Sequence, residues 1–243
     1  MEPQFYDPTP SVVRVAACVA AAVFVLGLPI RLHNAGAVRV ERTPAPTIAK
    51  APPPAGFDDL SALSNVKIDK RYASSNNFCG RILDTSAACI VREIAYQKFE
   101  KACEILRSEH PGWEFVIFDA YRPQYVQEKL WQAVKGTPRS KYVAYPKCVS
   151  LHSLGLALDL TLADEQGNQL DMGTGFDAFT PLASPRFESE NLRSKKLTPA
   201  QYANRLLLRR IMQRAGFIQL QSEWWHYEAL HEKTAHERYR VVR

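Results

Sequence analysis

The 243-residue sequence lacks most of the patterns by which hydrolases and binding proteins are usually read. There is no Gly-x-Ser-x-Gly elbow, which argues against a serine hydrolase. There is no phosphate-cradling glycine loop and no nucleic-acid module, so no nucleic-acid partner is expected. The helical His-Glu-x-x-His zinc signature is missing. No two cysteines have the short Cys-x-x-Cys spacing, which makes cysteine-held structural zinc a poor reading. No internal repeat is visible. The charge excess is modest, with 31 Lys and Arg against 25 Asp and Glu. It suits an anionic surface such as cell wall or lipid headgroups, but the basic spots at Lys195-Lys196 and Arg209-Arg210 read equally well as solvated helix faces.

What is present is the run Ser150-Leu151-His152-Ser153-Leu154-Gly155-Leu156-Ala157-Leu158-Asp159, answered near the C-terminus by Glu223-Trp224-Trp225-His226. His152, Asp159 and His226 make a three-ligand set suited to zinc, with a coordination position left for water as catalytic zinc requires. Glu223 is the spare carboxylate that a metal-assisted hydrolase needs as proton acceptor. Residues seven apart on one regular strand point to opposite faces, so His152 and Asp159 cannot meet a metal from a single strand. Glycine accepts backbone angles that other residues avoid, and Gly155 is the natural place for the chain to turn. His152 is therefore expected in a turn and Asp159 on a strand from Leu156 to Leu162. On that strand the leucines form one face, and Ala157, Asp159 and Thr161 form the other. Glu223 and His226 pose the same parity problem, so their segment must twist or begin its strand after Glu223.

The surrounding pattern is mixed. Val91 to Arg107 reads as an amphipathic helix with Val91, Ile94, Ala95, Phe99, Ala102, Cys103 and Leu106 on one stripe. Trp113 to Ala120 reads as a strand that delivers Arg122 at its end. Pro123 opens a helix that Gly136 closes. Thr198-Pro199-Ala200-Gln201 resembles a capping box, and Gly216 ends the helix it starts. Phe217–Gln221 and Trp224–Glu228 read as antiparallel strands. The expectation is an α+β domain, a largely antiparallel sheet with helices packed on one side.

Three segments are expected along the chain. Residues 1–34 read as a signal peptide or membrane anchor, because Val15 to Ile30 carries no charge and is rich in Ala, Val and Leu. That run is slightly long for a signal-peptide apolar region and short of the roughly 20 residues of a bilayer span. Ala35-Gly36-Ala37 suits cleavage, whereas Arg31, Arg39 and Arg42 after the run would favour a cytoplasmic C-terminal part. Residues 35–56, with Pro44, Pro46 and Pro52-Pro53-Pro54, read as an extended linker. Residues 57–243 remain for one globular domain. It contains Cys79, Cys89, Cys103 and Cys148. In an exported protein these could form two disulfides. Cys79 and Cys89 flank a turn and are the favoured pair, with Cys103 and Cys148 left for the second. All four as reduced thiols in a cytosolic enzyme is the alternative.

Beyond the zinc constellation, several motifs resemble a known family. They are Arg71-Tyr72-Ala73 with Asn76-Asn77-Phe78 and Gly80; Asp119-Ala120-Tyr121-Arg122-Pro123; Ser150 to Leu162; Asp171-Met172-Gly173-Thr174-Gly175-Phe176-Asp177; and Glu223-Trp224-Trp225-His226-Tyr227. Together, over roughly Leu60 to Leu230, they look like the VanX-type D-Ala-D-Ala dipeptidases among the M15 metallopeptidases. The resemblance implies the hedgehog/DD-peptidase fold and one zinc ion held by His152, Asp159 and His226. It implies Glu223 as general base and Arg122 as the arginine that stabilises the oxyanion. Ser150 and Asp177 match positions that hold the dipeptide, and a carboxylate at 177 suits a free ammonium. The expected reaction is hydrolysis of D-Ala-D-Ala to two D-Ala in cell-wall peptide turnover, in the bacterial envelope or periplasm. Membrane contact would come only through the N-terminal apolar segment if uncleaved. The alternatives are a D,D-carboxypeptidase or endopeptidase acting on longer wall peptides, and a zinc-retaining module without catalysis. A cytoplasmic location is the alternative to export.

Overall fold

The apolar run that reads as a strand in the sequence is the strand around which the sheet is assembled, in a computed structural model that describes residues 52–86 and 88–242. The segment expected at 1–34 and nearly all of the linker at 35–56 lie outside the described residues. In chain order the elements are β1 (Phe57–Asp59), β2 (Val66–Ile68), β3 (Ile90–Arg92), α1 (Glu93–Glu109), β4 (Glu114–Asp119), α2 (Gln124–Val134), β5 (Ala157–Ala163), α3 (Glu188–Arg193), α4 (Pro199–Arg214), β6 (Ile218–Gln219), β7 (His226–Glu228) and α5 (Glu232–Arg238). Five strands form one sheet in the order β2-β4-β5-β7-β6, and β1 pairs with β3 as a separate ribbon. The domain is α+β, as expected. Every pairing in the main sheet is antiparallel except β2 with β4.

The alternation expected on β5 is only half visible in burial. The leucine face is covered by the main core, but the small face with Ala157, Asp159 and Thr161 is buried as well. Full burial of each leucine contributes roughly 1.5–3 kcal/mol relative to leaving it exposed. α1 and α4 lie against each other and against the sheet, contributing Phe99, Leu106, Leu208 and Met212 to the same core. Phe99 meets Phe115 of β4 with ring centroids 5.0 Å apart. α1 begins at Glu93 and not at Val91, because Ile90–Arg92 are first taken by the antiparallel ribbon with β1. α4 starts with the expected capping box: Thr198 Oγ1 accepts from Gln201 N, and Gln201 Oε1 accepts from Thr198 N. α2 packs in a second, smaller cluster with Tyr72, Leu83 and Val143.

Neither expected disulfide is formed. Cys79, Cys103 and Cys148 are free thiols. The reason is packing. Cys79 lies against the small cluster around Tyr72, whereas Cys89 sits in the main core. Cys103 is buried on α1, and Cys148 is exposed on a loop beside the cavity described below. Pairing by parity and sequence distance therefore joined residues that belong to different clusters. Burial pushes the Cys103 thiol up to about 12, which keeps it protonated and inert.

Two register facts position the site. Across β4, β5 and β7, Asp119 is the partner of Asp159, and Asp159 is the partner of His226. Directly opposed residues on neighbouring strands share a face, so three ionisable side chains stand in one row. The register slips between Ile117 and Asp119, an irregularity of the kind that re-aims a side chain at the end of a strand. Gly155 then does what the parity argument requires. Its φ is +74°, its N–H donates to His152 O at 2.9 Å, and its carbonyl accepts from Arg92 N at 2.8 Å. A Cβ there would come within 2.5 Å of the Phe57 ring. Gly155→Ala should therefore lower stability by about 1–3 kcal/mol through backbone strain alone. Urea denaturation of the variant tests this, and an unchanged midpoint would contradict the role given to the turn.

Candidate active site

The row on the sheet supplies Asp159 and His226, and the turn closed by Gly155 brings in His152. All three are buried, with candidate donor atoms within 4.8 Å of one another. His226 Nδ1 stands 2.9 Å from Asp159 Oδ1 and 3.1 Å from His152 Nε2. His152 Nε2 is 3.3 Å from Asp159 Oδ2. On the far side of the first ring, His152 Nδ1 donates to the Ala120 carbonyl at 2.8 Å, which fixes the tautomer and turns the Nε2 lone pair inward. His226 Nε2 points instead toward Glu228 Oε1 at 3.6 Å. The inward atoms are thus Nε2 of one imidazole, Nδ1 of the other and a carboxylate oxygen.

This geometry needs a proton or a metal ion at its centre. Two imidazole lone pairs cannot face each other at that distance unless a proton or a metal ion lies between them. Burial alone would lower the His226 pKa, but its bonds to Asp159 and Glu228 push it up to about 10. Burial works against ionisation of Asp159, yet His152 and His226 hold its carboxyl well below the usual carboxylate range. A bound metal and that proton compete for the same lone pair. The donor set fits a metal ion.

Arg122 enters from the end of β4. Its Nε and Nη2 donate to Asp119 Oδ2 at 2.7 and 2.6 Å, and its Nη1 donates to Gln127 Oε1 at 2.8 Å. Nη2 lies 3.6 Å from Asp159 Oδ2. Burial disfavours the charged guanidinium, but Asp119 more than compensates and holds it cationic. Asp119 also lies 3.6 Å from His152 Nδ1, so one carboxylate steadies both the arginine and a candidate ligand.

A cavity of about 320 Å³ opens over these groups. That is near the lower end of the roughly 300–1,000 Å³ typical of small-molecule sites. Arg122, Ser150, His152, Asp159, Asp177, Glu223 and His226, all marked out by the sequence, line it. Glu223 sits in the irregular stretch before β7, where the parity argument requires it. Burial, against the attraction of His226, pushes its carboxyl up to about 7. Asp177 adopts φ +57°, in the left-handed region. The Tyr72 hydroxyl lies 3.1 and 3.2 Å from its two oxygens. Burial and the nearby Asp159 raise the Asp177 pKa well above the usual range. A carboxyl raised in this way gains most when a cation arrives beside it.

Sequence reasoning gave no role to Tyr72, Asp119, Gln127 or Glu228. Tyr72 and Asp119 lie inside quoted motifs, and a carboxylate three residues before Arg122 was a usable signal. Glu228, two residues past His226 on the same strand face, was also within reach. Gln127 carries no local signal, since only the packing of α2 brings it to Arg122.

A family profile described as D-ala-D-ala dipeptidase matches residues 55–242. The D-alanyl-D-alanine dipeptidase of Escherichia coli K12 is 40% identical over 171 residues, covering 70% of this chain and 82% of the relative. The protein of the same name from Synechocystis is 29% identical over 168 residues, covering 57% and 68% respectively. That from Enterococcus faecalis is 27% identical over 195 residues, covering 70% and 89%.

If the three inward atoms hold a metal, His152→Ala, Asp159→Ala and His226→Ala should each abolish stoichiometric binding, because a site with three protein ligands has none to spare. Elemental analysis of the purified variants measures this. One full equivalent retained by any of them would remove that residue from the ligand set.

Proposed function

The chain belongs to the D-Ala-D-Ala dipeptidase family of metallopeptidases, and from that premise we propose that it is a zinc dipeptidase that hydrolyses D-Ala-D-Ala to two D-Ala. The observation that carries the reading is the convergence of His152, Asp159 and His226 in one small cavity with Glu223, Arg122 and Asp177. Two nitrogens and one carboxylate oxygen, with room beside them, make a donor set of the catalytic zinc type. Zinc bound there would lower the pKa of a coordinated water toward neutrality and polarise the scissile carbonyl.

The chain's own residues supply the rest. Glu223, with a carboxyl raised to about 7, accepts the water proton near neutral pH and returns it to the leaving amine. Arg122, held cationic by Asp119, presents N–H donors to the oxyanion as it forms. Ser150, which lines the same cavity, helps to hold the dipeptide. Asp177, braced by Tyr72, takes the free ammonium, and the cationic partner returns its carboxyl to the ionised form. A buried ammonium without a carboxylate would be costly, so this pair is what selects a dipeptide over a longer chain.

Residues 57–243 are the catalytic domain in this reading, tethered by the 35–56 linker to a signal or anchor segment, and the enzyme turns over wall-derived dipeptide in the bacterial envelope. The uncharged Val15–Ile30 run and the proline-rich stretch support export. The cysteines lend it no support, since neither expected disulfide is formed. Among the described residues no helix is long and apolar enough to cross a membrane.

Two outcomes are expected. Glu223→Ala should keep its zinc but lose about 10²–10⁴-fold in kcat, the usual worth of a general base. Because the base must be deprotonated, kcat/KM falls on acidification. Nearby zinc pulls the pKa down, so the acid limb lies at or below the value of about 7 set by the protein alone. Near-parental kcat in the variant, or an acid limb above that value, would refute the assignment.

Substrate length is tested separately. N-acetylation of D-Ala-D-Ala should abolish cleavage, and Asp177→Asn should weaken the free dipeptide by about 2–5 kcal/mol, as expected on breaking a buried charge pair. Comparable kcat/KM on acetylated and free dipeptide would mean an open cleft and a carboxypeptidase.

A further inference from the structure

Gln127 is fully buried on α2, and the two ends of its side chain serve different parts of the site. Oε1 accepts from Arg122 Nη1 at 2.8 Å. Nε2 donates to the Ala144 carbonyl at 2.7 Å. Ala144 belongs to the stretch 143–149, in which Val143, Ala144, Tyr145, Cys148 and Val149 line the cavity. The amide can sit only one way. Turned over, it would set its NH₂ against the guanidinium and its oxygen against a carbonyl.

Arg122 needs such a partner on this side. Asp119 holds Nε and Nη2, while the Asp159 carboxylate stands 3.6 Å from Nη2 and attracts the same charge. Without an acceptor at Nη1, the guanidinium is free to settle onto Asp159. Its charge would then be spent on a candidate metal ligand and not on an oxyanion. The wall 143–149 has two further ties to α2: Gln124 Nε2 donates to Pro146 O at 2.8 Å, and Trp131 meets Tyr145 edge-on at 5.1 Å. Losing Gln127 would loosen this wall without releasing it.

We infer that Gln127 is a positioning residue that aims Arg122 into the cavity and at the same time fixes the 143–149 wall of the substrate pocket. The first task rests on Arg122 acting as the oxyanion donor; the second rests on the hydrogen bond to Ala144 alone.

Two substitutions separate the tasks. Gln127→Met has similar length and loses both bonds, whereas Gln127→Glu keeps an acceptor for Arg122 and loses the donor to Ala144. With the zinc-loaded full-length chain and D-Ala-D-Ala, Gln127→Met should lose about tenfold or more in kcat, less than the 10²–10³ of deleting an oxyanion donor outright. Gln127→Glu should recover most of that kcat, while KM stays raised in both variants. A purely structural role would lower the folded fraction and leave kcat and KM per bound zinc alone. Equal kcat in the two variants, or an unchanged KM in both, would overturn the inference. Amide hydrogen exchange at 143–149 is read in parallel and needs no activity. Both variants should exchange faster there than the parent, and unchanged exchange would overturn the second task. If the parent itself fails to cleave D-Ala-D-Ala, the functional reading falls, and the exchange result still decides whether Gln127 holds the wall.

Discussion

The site depends on a buried carboxylate that only hydrogen-bond donors and cations can stabilise. Asp159 lies in the middle of a strand buried on both faces, with two imidazoles and a guanidinium within 3.6 Å. A buried carboxylate that lost these partners would carry a penalty of several kcal/mol. Folding the sheet therefore commits the chain to gathering positive charge at this point. His226 is placed by strand pairing, His152 by the turn at Gly155, and Arg122 by the end of β4. A metal ion is the most compact way to supply the remaining charge.

Around that centre the structure forms nested supports. Asp119 steadies Arg122 and His152 together, Ala120 sets the tautomer of His152, and Tyr72 braces Asp177. The Trp224 indole donates to Thr174 Oγ1 at 2.8 Å, linking the stretch that carries Glu223 to the loop that carries Asp177. Arg205, itself fully buried, holds that loop by donating to Met172 O at 2.7 Å. The residues that line the cavity are thus held by hydrogen bonds from their neighbours, as preorganised catalysis requires.

Much of this was legible in the sequence because its signals are local. Leucine alternation marked β5, the Thr198–Gln201 box marked the start of α4, and the parity of His152 against Asp159 required a turn that Gly155 provides. Other features depend on long-range packing. The parallel pairing of β2 with β4 is decided by the route of the chain between them, which passes through β3 and α1. The short helices α3 and α5 have no side-chain cap to announce them. The cysteine pairs were misjudged because parity in a sequence says nothing about which packed cluster each thiol enters. Gln127 reads as an ordinary helix residue until α2 is docked beside Arg122.

The central claim is that the three inward atoms hold one zinc ion. Anomalous diffraction at the zinc edge, on crystals of protein carrying one equivalent of the metal, tests it most directly. The account predicts a single peak about 2.0–2.2 Å from His152 Nε2, His226 Nδ1 and an Asp159 carboxylate oxygen. A peak elsewhere, such as beside Cys148 on the cavity rim, with none at this triad, would contradict it.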